Sequence, residues 1–239
     1  MKRALVTGGS GSIGSAICRA LAAQGHHVIV HANSNLPRAD ALVAELLAAG
    51  GSAEALRFDV ADAEASASAI ARLLDGGPVQ ILVNNAGIHA DAVFAGMSRP
   101  QWQNVLDVSL GGFYNVTQPL LLPMIRTRWG RIINLSSVAA VAGNRGQVNY
   151  SAAKGALQAA GKSLALEVAS RGITVNTVAP GVIESEMIEG VFDQEAIARI
   201  VPMKRAGKPE EVAALVAFLA SEAAAYISGQ TISINGGMI

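Results

Sequence analysis

Short runs of aliphatic and β-branched residues alternate along the chain with longer segments in which Ala and Leu recur among polar positions. The runs fall at 4–7 (ALVT), 27–30 (HVIV), 53–58 (AEALRF), 80–84 (QILVN), 131–136 (RIINLS), 173–179 (ITVNTVA) and 231–234 (TISI). Each has the length and composition of a strand, so seven strands are predicted. The segments between them, among them 36–49, 62–75, 100–126 and 150–170, have helical length and pattern. Strand-helix alternation predicts a parallel sheet covered on both faces, because right-handed crossovers place the helices there. The fold class is therefore α/β and doubly wound. Ligands of such sheets meet the carboxyl ends of the strands, near the point where strand order reverses.

Composition narrows the picture without changing it. With 239 residues, 51% of them hydrophobic, the chain can bury one large core. No spacer, low-complexity tract or fixed-period repeat divides it, so one domain over 1–239 is expected. Lys plus Arg and Asp plus Glu are both 18. That balance favours neither nucleic acid nor an anionic membrane, and points to a small or locally charged partner. Cys18 is the single cysteine, and His26, His27, His31 and His89 lack ligand spacing, so neither a disulfide nor a metal is expected. The apolar run before the first glycines is too short for a signal peptide, and 212–220 is too short for a bilayer span. A cytoplasmic, soluble protein is expected.

The first loop, Thr7 to Gly14 (TGGSGSIG), follows a strand and opens a helix, the context in which a Rossmann-like fold holds a pyrophosphate on helix N–H groups. Its glycines fit two registers. One is Gly9-x-Gly11-x-x-Gly14, the general dinucleotide spacing; the other is Gly8-x-x-x-Ser12-x-Gly14, with Ser12 in place of a middle glycine. After the second strand the chain reads HANSNLPR, with no carboxylate before Asp40. An acid there would bind adenosine ribose hydroxyls and repel a 2′-phosphate. His31, Asn33, Ser34 and Arg38 can instead donate to one, which favours NADP(H) over NAD(H).

Tyr150 and Lys154 stand four apart at the start of a predicted helix, so their side chains share a face. A Tyr-x-x-x-Lys pair is common by chance and gains weight from its company. NNAG (Asn84 to Gly87) and INLSS (ending at Ser137) close two strands, and LVTGG, FDV, YSAAK, ITVNTVAPG and SGQTISINGG follow a single order along the chain. Together these motifs resemble the short-chain dehydrogenase/reductase family over the whole chain. Within it the chain is similar to 3-oxoacyl-[acyl-carrier-protein] reductases, and to a subgroup of them associated with aryl polyene and other polyketide-type clusters.

The resemblance assigns roles residue by residue. Tyr150 is the expected proton donor to a ketone oxygen, Lys154 is expected to lower its pKa and to hold the nicotinamide ribose, and Ser137 to steady the carbonyl. Ser136 is left to satisfy backbone groups. Ser109 stands where the family carries a catalytic asparagine, and is expected to keep a reduced, water-assisted relay role. The register becomes that of Gly8, Ser12 and Gly14, with Ser10, Gly11 and Ile13 also at the cofactor. Asp59 and Val60 resemble the adenine-holding pair, although Asp59 suits a helix cap equally well. Asn85, Ala86 and Gly87 are expected at the ribose, with Pro180, Gly181, Ile183 and Ser185 on the nicotinamide side. Residues 182–190 form an expected substrate lid.

Arg128 and Arg171 match positions that dock an acidic carrier protein; ordinary solvated arginines are the alternative. The helices at 100–126 and 150–170 are apolar beyond what one sheet contact requires, and the resemblance implies a homotetramer. The expected activity is NADPH-dependent reduction of 3-oxoacyl groups on acyl carrier protein. Two alternatives stand beside it: a reductase of a free ketone, and an NADP-binding regulator without turnover.

Overall fold

The computed structural model describes residues 1–184 and 194–239. Its strands are β1 (Arg3–Val6), β2 (His27–Ala32), β3 (Ser52–Arg57), β4 (Ile81–Asn84), β5 (Gly130–Leu135), β6 (Ile173–Pro180) and β7 (Thr231–Ile234). They form one sheet in the order β3-β2-β1-β4-β5-β6-β7, and every pairing is parallel. Each predicted run overlaps one of them. The helices are α1 (Ser12–Ala23), α2 (Leu36–Ala48), α3 (Ala63–Asp75), α4 (Arg99–Leu106), α5 (Gly112–Thr127), α6 (Ala139–Ala142), α7 (Val148–Val168), α8 (Gln194–Ile200) and α9 (Pro209–Ala220).

Both faces of the sheet are buried, and the pleat divides the core in two. Ala4, Val6, Ile81, Val83, Ile133 and Leu135 face one cluster, which includes Ile17 and Leu21 of α1, Leu42 of α2 and Val216 of α9. The alternate positions Leu5, Leu82 and Ile132 face a second cluster with Ile70 of α3, Leu120 of α5 and Val168 of α7. Central strands buried on both sides need apolar residues at nearly every position, which is why they read as continuous runs.

One predicted helix is not a single α-helix. Between α4 and α5 the chain makes a π turn over Asp107–Gly111, the wider turn that often marks functional sites. The apolar pattern continues on either side of it, so periodicity alone predicts an unbroken helix over 100–126. The turn carries Ser109 inward, to 3% exposure.

Strand order reverses at β1, whose neighbours are β2 on one side and β4 on the other. The loops after these strands therefore diverge and leave a crevice, lined on its far side by the loops after β5 and β6. On the outside, α5 exposes Tyr114 and Leu122, and α7 exposes Leu166. Among the described residues no helix is long and apolar enough to cross a membrane.

Candidate active site

The glycine loop is fixed by its own backbone geometry. Gly8 has φ +62°, a left-handed conformation that disfavours any side chain. At Gly14 a Cβ would overlap the Gly8 carbonyl oxygen and lie 2.9 Å from Asn85 Nδ2. Gly9 is packed on Val6, Cys18 and Val30, whereas at Gly11 the nearest obstacle is the Gly8 oxygen at 3.4 Å. Gly8 and Gly14 are thus the sterically required ends of the loop, and Gly11 is not. Ser12 opens α1, and its hydroxyl donates to the Glu184 carbonyl at 3.3 Å, a tie to the loop after β6. No side chain caps α1, and its first turn holds no acid, so the amino end of the helix is open to an anion. Ser10 and Ile13 belong to this loop and its helix start.

Asn85 and Thr7 lock the crevice across the β1–β4 boundary. Asn85 Nδ2 donates to the carbonyls of Thr7 (2.9 Å) and Gly8 (3.0 Å), and Thr7 Oγ1 accepts from the N–H groups of Asn85 and Ala86, both at 3.0 Å. Asn85 therefore holds the loop with its side chain. The NNAG motif marks Asn85 in the sequence. Thr7 opens the TGGSGSIG motif, which assigns it no role; its part in closing the crevice is visible only in these contacts.

The expectation that His31 donates to a 2′-phosphate is overturned. His31 is 1% exposed; its Nδ1 accepts from Gly8 N–H at 3.0 Å, and Nε2 bonds the Phe58 carbonyl at 2.9 Å. A neutral imidazole satisfies both contacts, and burial pulls its pKa down to about 4. Its ring joins the glycine loop to the end of β3 and has no nitrogen left for a ligand. Asn33 and Ser34 are exposed at the end of β2, as expected. Asp59 caps no helix: its Oδ1 accepts from Ala61 N–H (2.9 Å), and the cap of α3 is Asp62. Val60 is buried, and its carbonyl accepts from Asn115.

At the carboxyl ends of β4 and β5 the structure brings together Ser137, Tyr150, Lys154 and Ser109. Asn149, which no motif marks, seats the start of α7: its Nδ2 donates to the carbonyls of Ala90 and Gln101 (both 3.0 Å), and its Oδ1 accepts from Tyr150 N–H. The Ser137 hydroxyl lies close enough to the Tyr150 phenol to pull its pKa down. Ser136 turns away and donates to the Lys154 carbonyl at 2.8 Å, the backbone role expected of it. Lys154 is 3% exposed, its ammonium donates to the Leu135 carbonyl at 2.8 Å, and it lies 5.8 Å from the Tyr150 ring centre. Burial pulls its pKa down to about 8.

Tyr150 departs from expectation. Burial pushes its phenol above the ordinary value, the Ser137 hydroxyl opposes this, and nearby Asp91 adds to the rise. One of the three ammonium N–H groups is taken by Leu135, and at the phenol the effect of burial is the larger. Beside the pair, a Cβ on Gly87 would sit 2.9 Å from Lys154 Nζ and 3.8 Å from Ser109 Oγ. The bare glycine keeps both polar groups open to one space. Ser109 Oγ is buried and finds no hydrogen-bond partner among the described residues.

Comparison with known proteins decides the family. The family model described as Enoyl-(Acyl carrier protein) reductase matches residues 8–239. A 3-oxoacyl-[acyl-carrier-protein] reductase of Synechocystis sp. is 46% identical over 238 residues, covering 99% of this chain and 96% of the relative. An acetoacetyl-CoA reductase of Rhizobium meliloti is also 46% identical, over 98% of this chain and 97% of the relative. Nodulation protein G of Azospirillum brasilense is 45% identical, over 99% and 98%. The chain is a short-chain dehydrogenase/reductase. It is accordingly an oxidoreductase of a family that uses nicotinamide cofactors.

The residues present fit such a cofactor. The short-chain reductase presents an uncapped helix start to the pyrophosphate, bare glycines at Gly8, Gly14 and Gly87, and a buried serine hydroxyl with no partner among the described residues. Pro180 and Gly181 end β6 beside Ser137, tied through the Val138 N–H to Pro180 carbonyl bond, while Ile183 is buried in the core. Ser185 and the expected lid from 185 onward lie outside the described residues.

Arg128 and Arg171 come together, but not here. Arg128 Nη2 donates to the Ser170 carbonyl, next to Arg171, and the two residues lie at the amino ends of β5 and β6. Ser137, Tyr150 and Lys154 gather at the carboxyl ends, so the eight residues of β6 separate them from the arginines, roughly 26 Å of strand.

The two glycine registers share Gly14 and make opposite predictions at Gly11. Gly14→Ala forces Cβ into backbone atoms and should weaken dinucleotide binding by at least about tenfold and lower Tm, whereas Gly11→Ala should change dinucleotide Kd by less than about threefold. Calorimetric titration with the thermal melts checks both. Equal losses would restore the general register.

Proposed function

We propose that the protein reduces the 3-oxo group of acyl thioesters carried on acyl carrier protein, with NADPH as reductant. The observation that carries this reading is the buried Lys154 ammonium 5.8 Å from the Tyr150 ring, with the Ser137 hydroxyl close enough to act on the phenol. The relatives support the substrate class. Those named for 3-oxoacyl-[acyl-carrier-protein] and for acetoacetyl-CoA act on the same functional group, a ketone β to a thioester.

NADPH, when bound, supplies the hydride for the carbonyl carbon. The remaining chemistry belongs to the chain. Tyr150 places its hydroxyl on the carbonyl oxygen and gives up its proton as negative charge develops there. Ser137 donates to the same oxygen and steadies it. Lys154, a cation below about pH 8, stabilises the phenolate that Tyr150 becomes, and shares with Ser109 the space beside Gly87 through which a water returns the proton. Stabilising the phenolate and lowering the phenol's pKa are one effect, so Lys154 keeps the role expected of it and works against the rise that burial causes.

The carrier reading constrains assembly. Arg128 and Arg171 are a strand's length from Tyr150 of their own chain, so a carrier docked on them delivers its acyl group to another copy. We infer a homo-oligomer, with the tetramer implied by the family as the assembly to seek, and exposed Tyr114, Leu122 and Leu166 offer apolar surface for it.

Two measurements test these proposals. NADPH oxidation is followed with acetoacetyl thioester on carrier protein, with the coenzyme A ester and with a free ketone. Wild type should prefer the carrier-bound substrate, and Tyr150→Phe should lose about 10²- to 10⁴-fold in kcat while still binding cofactor. Binding without turnover on any ketone would favour a regulator, and preference for the free ketone a different reductase. Arg128→Glu with Arg171→Glu should raise KM several-fold for the carrier-bound substrate alone. Equal losses on the free ketone would mean structural damage and remove the docking role.

A further inference from the structure

The correction at His31 removes one of the four donors expected at the adenosine end and leaves Asn33, Ser34 and the exposed Arg38. A 2′-phosphate carries roughly −1.5 to −2 charges at neutral pH and calls for a cation with several donors. Both nitrogens of His31 are spent inside the protein. The backbone at the amino end of α2 offers little, since Pro37 has no N–H and that of Arg38 is taken by the Asn35 side chain at 3.2 Å.

We propose that Arg57 grips the 2′-phosphate of the bound cofactor and sets the preference for NADPH, an assignment that rests on the NADPH reading above. Arg57 ends β3 directly opposite Ala32, the last residue of β2. Along β3 the residues alternate: Leu56 and Phe58 pack with the α3/α5 cluster, and Ala53 and Ala55 pack with the α1/α2 cluster. Arg57 falls on the second face, the one from which the glycine loop rises into α1. Its Nε donates to the Asn33 carbonyl at 3.1 Å, which anchors the guanidinium against the loop after β2. The two terminal amino groups donate to nothing among the described residues, and the side chain is exposed. An anchored planar fork beside the exposed Asn33 and Ser34 is suited to a phosphate at the ribose that β2 presents. The chain places no carboxylate between His31 and Asp40 to oppose it. In the sequence, a lone arginine closing an edge strand is indistinguishable from solvated surface.

The test is equilibrium binding of NADPH and NADH to the intact protein, by calorimetry or fluorescence, in wild type, Arg57→Ala, Arg57→Lys and Arg38→Ala. Arg57→Ala should weaken NADPH roughly 10- to 100-fold and leave NADH within about twofold, with partial recovery in Arg57→Lys. Equal weakening of both cofactors would make Arg57 a structural tie of the loop and overturn the assignment. So would an NADPH preference that survives in Arg57→Ala, or one lost only in Arg38→Ala. Wild type binding the two cofactors equally would overturn the NADPH reading itself, and the assignment with it.

Discussion

A buried ammonium organises this site. Lys154 brings a full positive charge to 3% exposure, and its depression from 10.5 to about 8 corresponds to roughly 3 kcal/mol of unfavourable burial. The cost applies below about pH 8, where the folded protein holds the proton. As pH rises from there towards the unfolded value, the unfolded chain binds more protons and the penalty is relieved. The surrounding elements are arranged to accommodate the charge. β5 contributes the Leu135 carbonyl, β4 is followed by Gly87 with no Cβ to occupy the space, and the π turn before α5 brings in the hydroxyl of Ser109. Tyr150 lies one turn earlier on the same helix, its backbone fixed by Asn149.

The rest of the crevice is held by polar groups that do no chemistry. Asn85 and Thr7 close the boundary where strand order reverses, and His31 joins the glycine loop to the end of β3. Such groups are mutually satisfied, so each removes conformational freedom from a loop that must present backbone to a ligand. The result is a preorganised surface from Gly8 to Gly87, with Ser137, Tyr150 and Lys154 on one side and the end of β2 on the other.

Much of the fold is legible because its central strands are buried on both faces: runs such as QILVN and RIINLS are continuous, short and bounded by turn residues, a pattern that suits a buried parallel strand and little else. Ser137, Tyr150 and Lys154 are legible from spacing and order. What escapes the sequence depends on contacts between distant segments. His31 looks like a free donor until Gly8 and Phe58 close on its two nitrogens. The π turn is invisible because apolar periodicity resumes after it. The proximity of Lys154 suggests a depressed phenol, but proximity does not reveal that burial of Tyr150 prevails.

Everything at this site depends on the charge state of Lys154, and the direct measurement is the titration of its ε-carbon by NMR in the free protein labelled at lysine, assigned with Lys154→Met. A midpoint near pH 8, well below the other lysines, is the predicted result. A midpoint at or above the ordinary lysine value of about 10.4 would mean that the ammonium is solvated, and would contradict a site organised around its burial.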